Sequence, residues 1–333
     1  MNAQRTTVSD RLEIVELAHA AATTSFADDV RSGLLAPRKR LSSKYFYDEL
    51  GSALFDAITH LPEYYLTRAE TDILTEWGWE IVRELDAPLE FLELGSGSAI
   101  KTRLLIEEAL RVQGALRYSP IDISLDALRS SSIALVDAYP KLRIRAYAGD
   151  YFAVLGSPQL HFEHKALAML MGSNLGNYQP DEARALLTLI ARALRLGDGL
   201  LLGVDLKKDR ATLEAAYDDP VGVTAAFDKN MLGRINRELG GCFDLSDFTH
   251  IATYDEERGV VDSFLQADRA HTVTIGALGI AVPFEAGERI HTESSYKFDD
   301  ATLAELAAFA GFRPSKSWRD RANRFALQLL VRE

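Results

Sequence analysis

The stretch Leu89-Glu90-Phe91-Leu92-Glu93-Leu94-Gly95-Ser96-Gly97 decides how this chain is read. Its apolar positions suit a short buried strand, and the glycines that follow allow a tight turn and close backbone approach to a ligand. A helical stretch follows over 101–113, with Leu104, Leu105, Ala109 and Leu110 on one side. Beyond it lie a strand ending near Asp122, a helix over 125–138, and a strand over 142–148 that runs into Gly149-Asp150. Another apolar strand, 166–171, precedes Gly172-Ser173-Asn174-Leu175-Gly176-Asn177. A helix then starts near Pro180, carries Arg192 and Arg195 in its last turn and stops at Gly197. The strand over 200–204 ends in Asp205. Strands alternating with helices imply parallel strands joined by right-handed crossovers, an α/β doubly wound sheet.

Outside this core the rhythm breaks. Residues 207–296 hold helical stretches at 212–217 and 224–239, then strand-like pieces at 250–254, 260–265 and 272–275. The alternation returns at 301–310 and 325–331. Residues 10–33 read as a helix, followed by the basic turn Pro37-Arg38-Lys39-Arg40, and residues 69–85 carry a helical stripe of Ile73, Leu74, Trp77, Ile81 and Leu85. The organisation expected is a doubly wound domain of residues 69–206 and 297–333, interrupted by a lobe built from 1–68 and 207–296.

A hydrophobic share of 47% and a charged share of 26% are ordinary for a globular chain able to bury a core. The net charge of −12 argues against non-specific nucleic-acid binding, which needs Lys and Arg to neutralise phosphates. One cysteine, Cys242, cannot form an internal disulfide. No leader-like segment or membrane-length apolar run is seen, so a cytoplasmic location without membrane attachment is expected. The seven histidines, His19, His60, His161, His164, His250, His271 and His291, show no ligand spacing. His161-Phe162-Glu163-His164 reads as a polar loop or strand end, and no metal is expected.

In an open parallel sheet, ligands bind beyond the carboxyl ends of the strands. Gly95-Ser96-Gly97 occupies such an end. Asp122 follows the next strand, where a carboxylate can accept from both hydroxyls of a ribose, and Asp150 follows the third, where it can meet an adenine amine. A dinucleotide fingerprint would place a third glycine where Ile100 stands. A phosphate-binding loop is nearly spelled by Gly95 through Lys101-Thr102, but Ile100 replaces the glycine before the lysine and obstructs a loop that must wrap phosphate with its amides. A nucleoside without phosphates, S-adenosylmethionine, suits the pattern better.

Several further stretches carry a resemblance. They are Lys44-Tyr45-Phe46-Tyr47-Asp48, Gly51-Ser52-Ala53-Leu54-Phe55-Asp56 and Leu61-Pro62-Glu63-Tyr64-Tyr65-Leu66-Thr67-Arg68. With them go Glu93 to Gly97, Lys101-Thr102-Arg103, Gly172 to Asn177, Ala216-Tyr217-Asp218-Asp219, Val221 to Phe227, Asn236-Arg237-Glu238-Leu239 and Thr292-Glu293-Ser294-Ser295-Tyr296-Lys297-Phe298. In this order they resemble the amino-acid Nα-methyltransferases typified by the histidine enzyme of ergothioneine biosynthesis, over nearly the whole chain.

The resemblance implies a Rossmann-like class I methyltransferase domain with a second α+β substrate-binding lobe, working as a monomer on a small-molecule amino acid. It implies that Gly95, Lys101, Asp122, Asp150, Tyr151 and Ser173 hold S-adenosylmethionine. Tyr64 and Asn177 would stand at the reacting amine, Asn177 and Tyr217 would bind the amino-acid backbone, Glu293 and Ser295 the imidazole, and Tyr47 and Phe55 would line the pocket. Three successive methylations are expected. Two departures stand out: Tyr151 replaces a frequent phenylalanine, and Ser263 takes a pocket position held by methionine in the resembled enzyme. Ser263 motivates an alternative amino-acid substrate such as tryptophan or tyrosine. The remaining alternative is a P-loop-type nucleotide-binding module.

Overall fold

A computed structural model describes residues 3–17, 25–86, 88–97 and 99–333; His19, Ser98 and residues 18–24 of the expected first helix lie outside them. The chain divides into two compact units. The first holds the amino-terminal strands with Arg68–Leu206 and Phe298–Glu333, and the second the rest through Thr67 together with Lys207–Lys297.

The first unit is built on a nine-stranded sheet. Its strands are β1 (Ala3–Ser9), β2 (Leu12–Leu17), β3 (Leu89–Leu94), β4 (Leu116–Asp122), β5 (Leu142–Ala148), β6 (Lys165–Leu170), β7 (Gly199–Asp205), β13 (Phe312–Arg319) and β14 (Phe325–Arg332), in the order β1-β2-β5-β4-β3-β6-β7-β14-β13. The five pairings from β2 to β7 are parallel. Those of β1 with β2, β7 with β14 and β14 with β13 are antiparallel. Every residue of β3 and of β7 is buried, as expected of central strands covered on both faces. The connecting helices are α3 (Leu66–Glu84), α4 (Thr102–Gln113), α5 (Leu125–Ala138), α6 (Tyr151–Leu155), α7 (Pro180–Ala193) and α10 (Asp300–Ala310). From β3 the chain winds through β4 to β5, then returns to the other side of β3 with β6 and β7. The strand order therefore reverses between β3 and β6, where such sheets open a ligand crevice.

Two expectations are corrected here. Residues 10–33 are not one helix: β1 and β2 form a hairpin that extends the large sheet, β2 pairing in parallel with β5. The β-branched residues Thr6, Thr7, Val8, Ile14 and Val15 favour strands, and Leu12, Ile14, Val15 and Leu17 are buried. The amino-terminal strands thus belong with the sheet and not with the second lobe. The helix after Pro180 ends at Ala193, its cap Leu194 already extended at ψ 150, so Arg195 and Gly197 lie past it. Gly197, at φ +83, instead makes the turn into β7 and donates its amide to the Arg332 carbonyl.

The second unit contains α1 (Phe26–Leu34), α2 (Glu49–Thr59), α8 (Arg210–Tyr217) and α9 (Val223–Leu239). Beside them are a three-stranded antiparallel sheet, β12 (Arg289–Tyr296), β9 (Val260–Ala267) and β8 (Phe248–Asp255), and a hairpin of β10 (His271–Ile275) and β11 (Ile280–Phe284). Helices α2 and α9 pack on each other. The register of β12 on β9 slips between His291 and Glu293, a bulge that sets Glu293 directly opposite Ser263.

Candidate active site

In the first unit the turn after β3 is shaped by hydrogen bonds. Gly95 and Ser96 both donate their amides to the Ile121 carbonyl, at 2.9 and 3.2 Å. Gly95 adopts φ +74, and a Cβ there would collide with the Tyr151 hydroxyl, so glycine is required twice over. Asp122, at the end of β4, accepts from the Gly97 amide and the Ser124 amide, each at 2.9 Å. The Gly95, Ser96 and Gly97 amides are all spent inside the protein and do not wrap a phosphate, which counts against the P-loop reading. Asp150 is exposed and caps α6, accepting from the Phe152 amide at 2.7 Å.

Lys101 begins α4 and pairs with Glu70, whose side chain is fully buried and also accepts from the Gly172 amide at 2.8 Å. Ser173, in the left-handed region at φ 58, accepts from the Asp205 amide at 3.0 Å. Glu93 is buried beneath the turn, with Thr102 donating at 2.6 Å and Tyr118 also donating. Burial raises its pKa to about 7 against the pull of those two donors. Gly95, Lys101, Asp122, Asp150, Tyr151 and Ser173 thus all lie at or beyond the carboxyl ends of β3 to β6. Asn177 lies exposed at the end of the short turn after β6. It does not cap α7, whose amino-terminal cap is Gln179.

The second unit gathers the other named residues. Tyr47, Phe55, Tyr64 and Tyr217 follow one another in edge-to-face contacts at 5.5, 6.1 and 6.5 Å between ring centroids. Phe227 of α9 joins Tyr47 and Phe55. Tyr47 is held at the entry to α2, where Asp48 caps the helix by accepting from the Gly51 amide and from Asn230 and Arg237. A Cβ on Gly51 would strike the Phe46 carbonyl. The Tyr217 hydroxyl lies 2.8 Å from the Ser295 hydroxyl, and the buried Lys297 ammonium donates to both, at 2.7 and 2.9 Å.

Glu293 projects beside this cluster. Its pKa is raised to about 7, first by burial and then by the charge of Asp228, with Lys297, His291 and His250 opposing. Among the described residues no hydrogen bond reaches its carboxylate. Tyr47 keeps half its surface exposed, yet burial of the remainder and the charge of Glu293 raise its phenol.

A ligand-like group does occur at Glu90, Glu163 and His164, whose ligand atoms lie within 4.8 Å of one another. Arg117 pairs with Glu163 there, and Glu90 accepts the amides of Glu163 and His164, so the cluster is already partnered.

Sequence reasoning missed three features. Ile123, next to Asp122, and Phe152, two residues past Asp150, stand exposed at 69% and 46%. An apolar residue left in water beside an aspartate at a strand end was the available signal. Asp228 and His250, buried together 22 residues apart, gave no local signal.

A mostly parallel sheet whose order reverses beside a glycine turn and two strand-end carboxylates is a Rossmann-like, doubly wound arrangement of the kind that binds nucleosides at its crevice. Residues 26–332 match the family model described as histidine-specific methyltransferase, SAM-dependent, and the chain belongs to that family. It is 41% identical over 316 residues to the histidine N-alpha-methyltransferase of Mycolicibacterium smegmatis, covering 95% of this chain and 98% of that one. The histidine N-alpha-methyltransferase of Mycobacterium tuberculosis is 43% identical over 306 residues, 91% and 94% of the two chains. Ergothioneine biosynthesis protein 1 of Schizosaccharomyces pombe is 30% identical over 285 residues, 83% of this chain but 37% of that longer protein.

Proposed function

We infer that this enzyme transfers methyl groups from S-adenosylmethionine to the α-amine of L-histidine, three times in succession, giving the trimethylated betaine used in ergothioneine biosynthesis. The observation that carries the reading is similarity to two histidine N-alpha-methyltransferases along more than nine-tenths of both partners.

The first unit's residues fit the cofactor. Asp122 keeps lone pairs for two ribose hydroxyls after accepting two amides, Asp150 is open to an adenine amine, and Ile123 and Phe152 offer apolar cover to the ring. When bound, the sulfonium supplies an electrophilic methyl. The amine must arrive unprotonated and in line, so positioning and exclusion of water supply most of the rate, and the amine's own proton is the only one that leaves. Asn177 and Tyr217 hold the amino-acid backbone, and Tyr64 stands at the amine with a ring suited to a nitrogen that becomes a fixed cation. Glu293 and Ser295 receive the imidazole. Placing a carboxylate there disfavours apolar side chains, which would leave it buried and unpaired.

The enzyme is proposed to act as a cytoplasmic monomer without nucleic-acid partners. Its net charge of −12 disfavours phosphate backbones, and among the described residues no helix is long and apolar enough to cross a membrane. Mass spectrometry of reactions with S-adenosylmethionine and histidine tests the activity. Mono-, di- and trimethylated histidine are expected in sequence, and Asn177→Ala should lower kcat/KM by about a hundredfold or more. Cofactor binding without any methylated histidine would defeat the assignment.

Ser263 favours a second reading. It is buried and faces Glu293 across the β12–β9 pair, so a small side chain adjoins the imidazole subsite and leaves room for a larger ring. Competition among the twenty amino acids in one reaction separates the readings: a preferred indole or phenol would replace histidine in the assignment.

A further inference from the structure

Asp228 is 2% exposed on α9, one residue after Phe227 of the aromatic cluster. Its Oδ2 lies 2.7 Å from His250 Nδ1 on β8, and His250 Nε2 lies 2.8 Å from the Tyr217 carbonyl. A carbonyl cannot donate, so Nε2 carries a proton, and a further proton joins Nδ1 to Asp228 Oδ2. Burial opposes a charge on His250, but the bond and charge of Asp228 outweigh it and raise its pKa. His250 therefore locks one oxygen of Asp228 and the end of α8 at Tyr217.

The other oxygen is the anomaly. Asp228 Oδ1 is buried with no hydrogen-bond partner among the described residues. An unsatisfied buried acceptor of this kind is costly, the more so when charged, and native chains keep one mainly where a ligand or water completes it. His250 shares a face of β8 with Ala252, which pairs with Ser263, itself opposite Glu293, so Asp228, bonded to His250, packs on the sheet face that carries Glu293, and its charge acts on that carboxylate. The other charged groups around them are His250 on β8, His291 on β12, Lys297 just after it and Asp218 just after α8, with the phenols of Tyr47 and Tyr217.

Resting on the histidine assignment above, we propose that Asp228 is a specificity-determining residue that forms a paired acceptor with Glu293, and that the pair selects a ring bearing two N–H donors, the imidazolium form of the substrate. A neutral imidazole entering the pocket takes up one proton, from Glu293 where that group is protonated and otherwise from solvent, leaving an imidazolium between two carboxylates with charge and protons balanced. A neutral ring of the same shape with only one N–H leaves one carboxylate unpaired. His250 acts as a positioning residue, holding Asp228 with its free oxygen turned inward.

The test compares L-histidine with 1,2,4-triazol-3-ylalanine, an isostere whose ring stays neutral near pH 7, by calorimetry on the full-length enzyme saturated with S-adenosylhomocysteine. Wild type should prefer histidine by about tenfold or more at pH 7.5, and Asp228→Asn should reduce that preference to about threefold or less. An unchanged circular-dichroism spectrum and a single cooperative thermal transition in the variant report that both units are folded. If the variant does not fold, nitrogen-15 spectra of ring-labelled histidine on the wild-type enzyme decide the matter: both ring nitrogens protonated at pH 7.5 supports the pair. A neutral bound ring, or an unchanged preference in Asp228→Asn, overturns the inference while leaving the histidine assignment standing. Failure of wild type to bind histidine at all sinks both.

Discussion

Glu293, raised to about 7 by burial and by the neighbouring charge of Asp228, holds its proton more tightly in the folded chain than in the unfolded one, where a glutamate titrates near its ordinary value of 4.5. Between those two values the folded state binds more protons, so stability falls as pH rises, and the cost is complete above pH 7. Glu293→Gln removes that cost. The variant should be more stable than wild type at pH 8 by about 1–3 kcal/mol and indistinguishable from it near pH 4.5, while losing most of its affinity for histidine. Urea unfolding at several pH values checks this, and an advantage independent of pH would contradict it. At this scale the sequence was readable where a residue's place follows from a strand end: Asp122, Asp150 and Gly95 all lie at or beyond the carboxyl ends of their strands. Asp228 and His250 were unreadable because their meaning lies in a pairing between helix and strand, and a single aspartate within an amphipathic helix carries no sign of what it will meet.

Helix α2 shows how an element places a side chain it does not contain. Asp48 caps it by accepting from the Gly51 amide at 2.7 Å, and the same carboxylate accepts from Asn230 at 2.8 Å and Arg237 at 2.6 Å, tying the start of α2 to α9. Burial works against the Asp48 carboxylate, yet those three donors hold its pKa below the usual range. Tyr47 precedes this cap and inherits its position. Asp48→Ala should cost about 1–2 kcal/mol of stability and raise the KM for the amino acid, with little change in S-adenosylmethionine affinity. Asp48→Asn, which can still cap, should recover most of both losses. Thermal unfolding and separate titrations of the two ligands test it; equal losses for both ligands would show that the cap does not serve the aromatic cluster.

Regular elements of the core were legible because β3 to β7 alternate with helices on clean apolar periods. The hairpin of β1 and β2 was not, since two runs of six and seven residues give too few turns to distinguish a period of 2 from one of 3.6. Strand β12 was illegible for a different reason: Thr292 to Ser295 are polar, yet Thr292, Ser294 and Ser295 are buried.

Across the whole molecule the chain passes between the two units four times, so neither is a contiguous segment, and no composition shift marks the crossings. What the sequence did display was a division of motifs: nucleoside-type features at strand ends, amino-acid-type features in the irregular remainder. That division makes a quantitative claim. Asp122 is bonded to Gly97 and Ser124 in the first unit; Glu293 feels Asp228, Lys297, His291 and His250 in the second. The two share no partner, so their contributions to stability should add. Asp122→Ala strips an acceptor from two amides and should cost about 1–3 kcal/mol, while Glu293→Gln at pH 8 should return a similar amount. The double variant should match the sum within about 0.5 kcal/mol. In ligand titrations Asp122→Ala should weaken S-adenosylhomocysteine, and Glu293→Gln histidine. A coupling above about 1 kcal/mol in the urea cycle would mean that the two carboxylates belong to one energetic network, and the separate assignment of Asp122 to the cofactor and Glu293 to the amino acid would have to be redrawn.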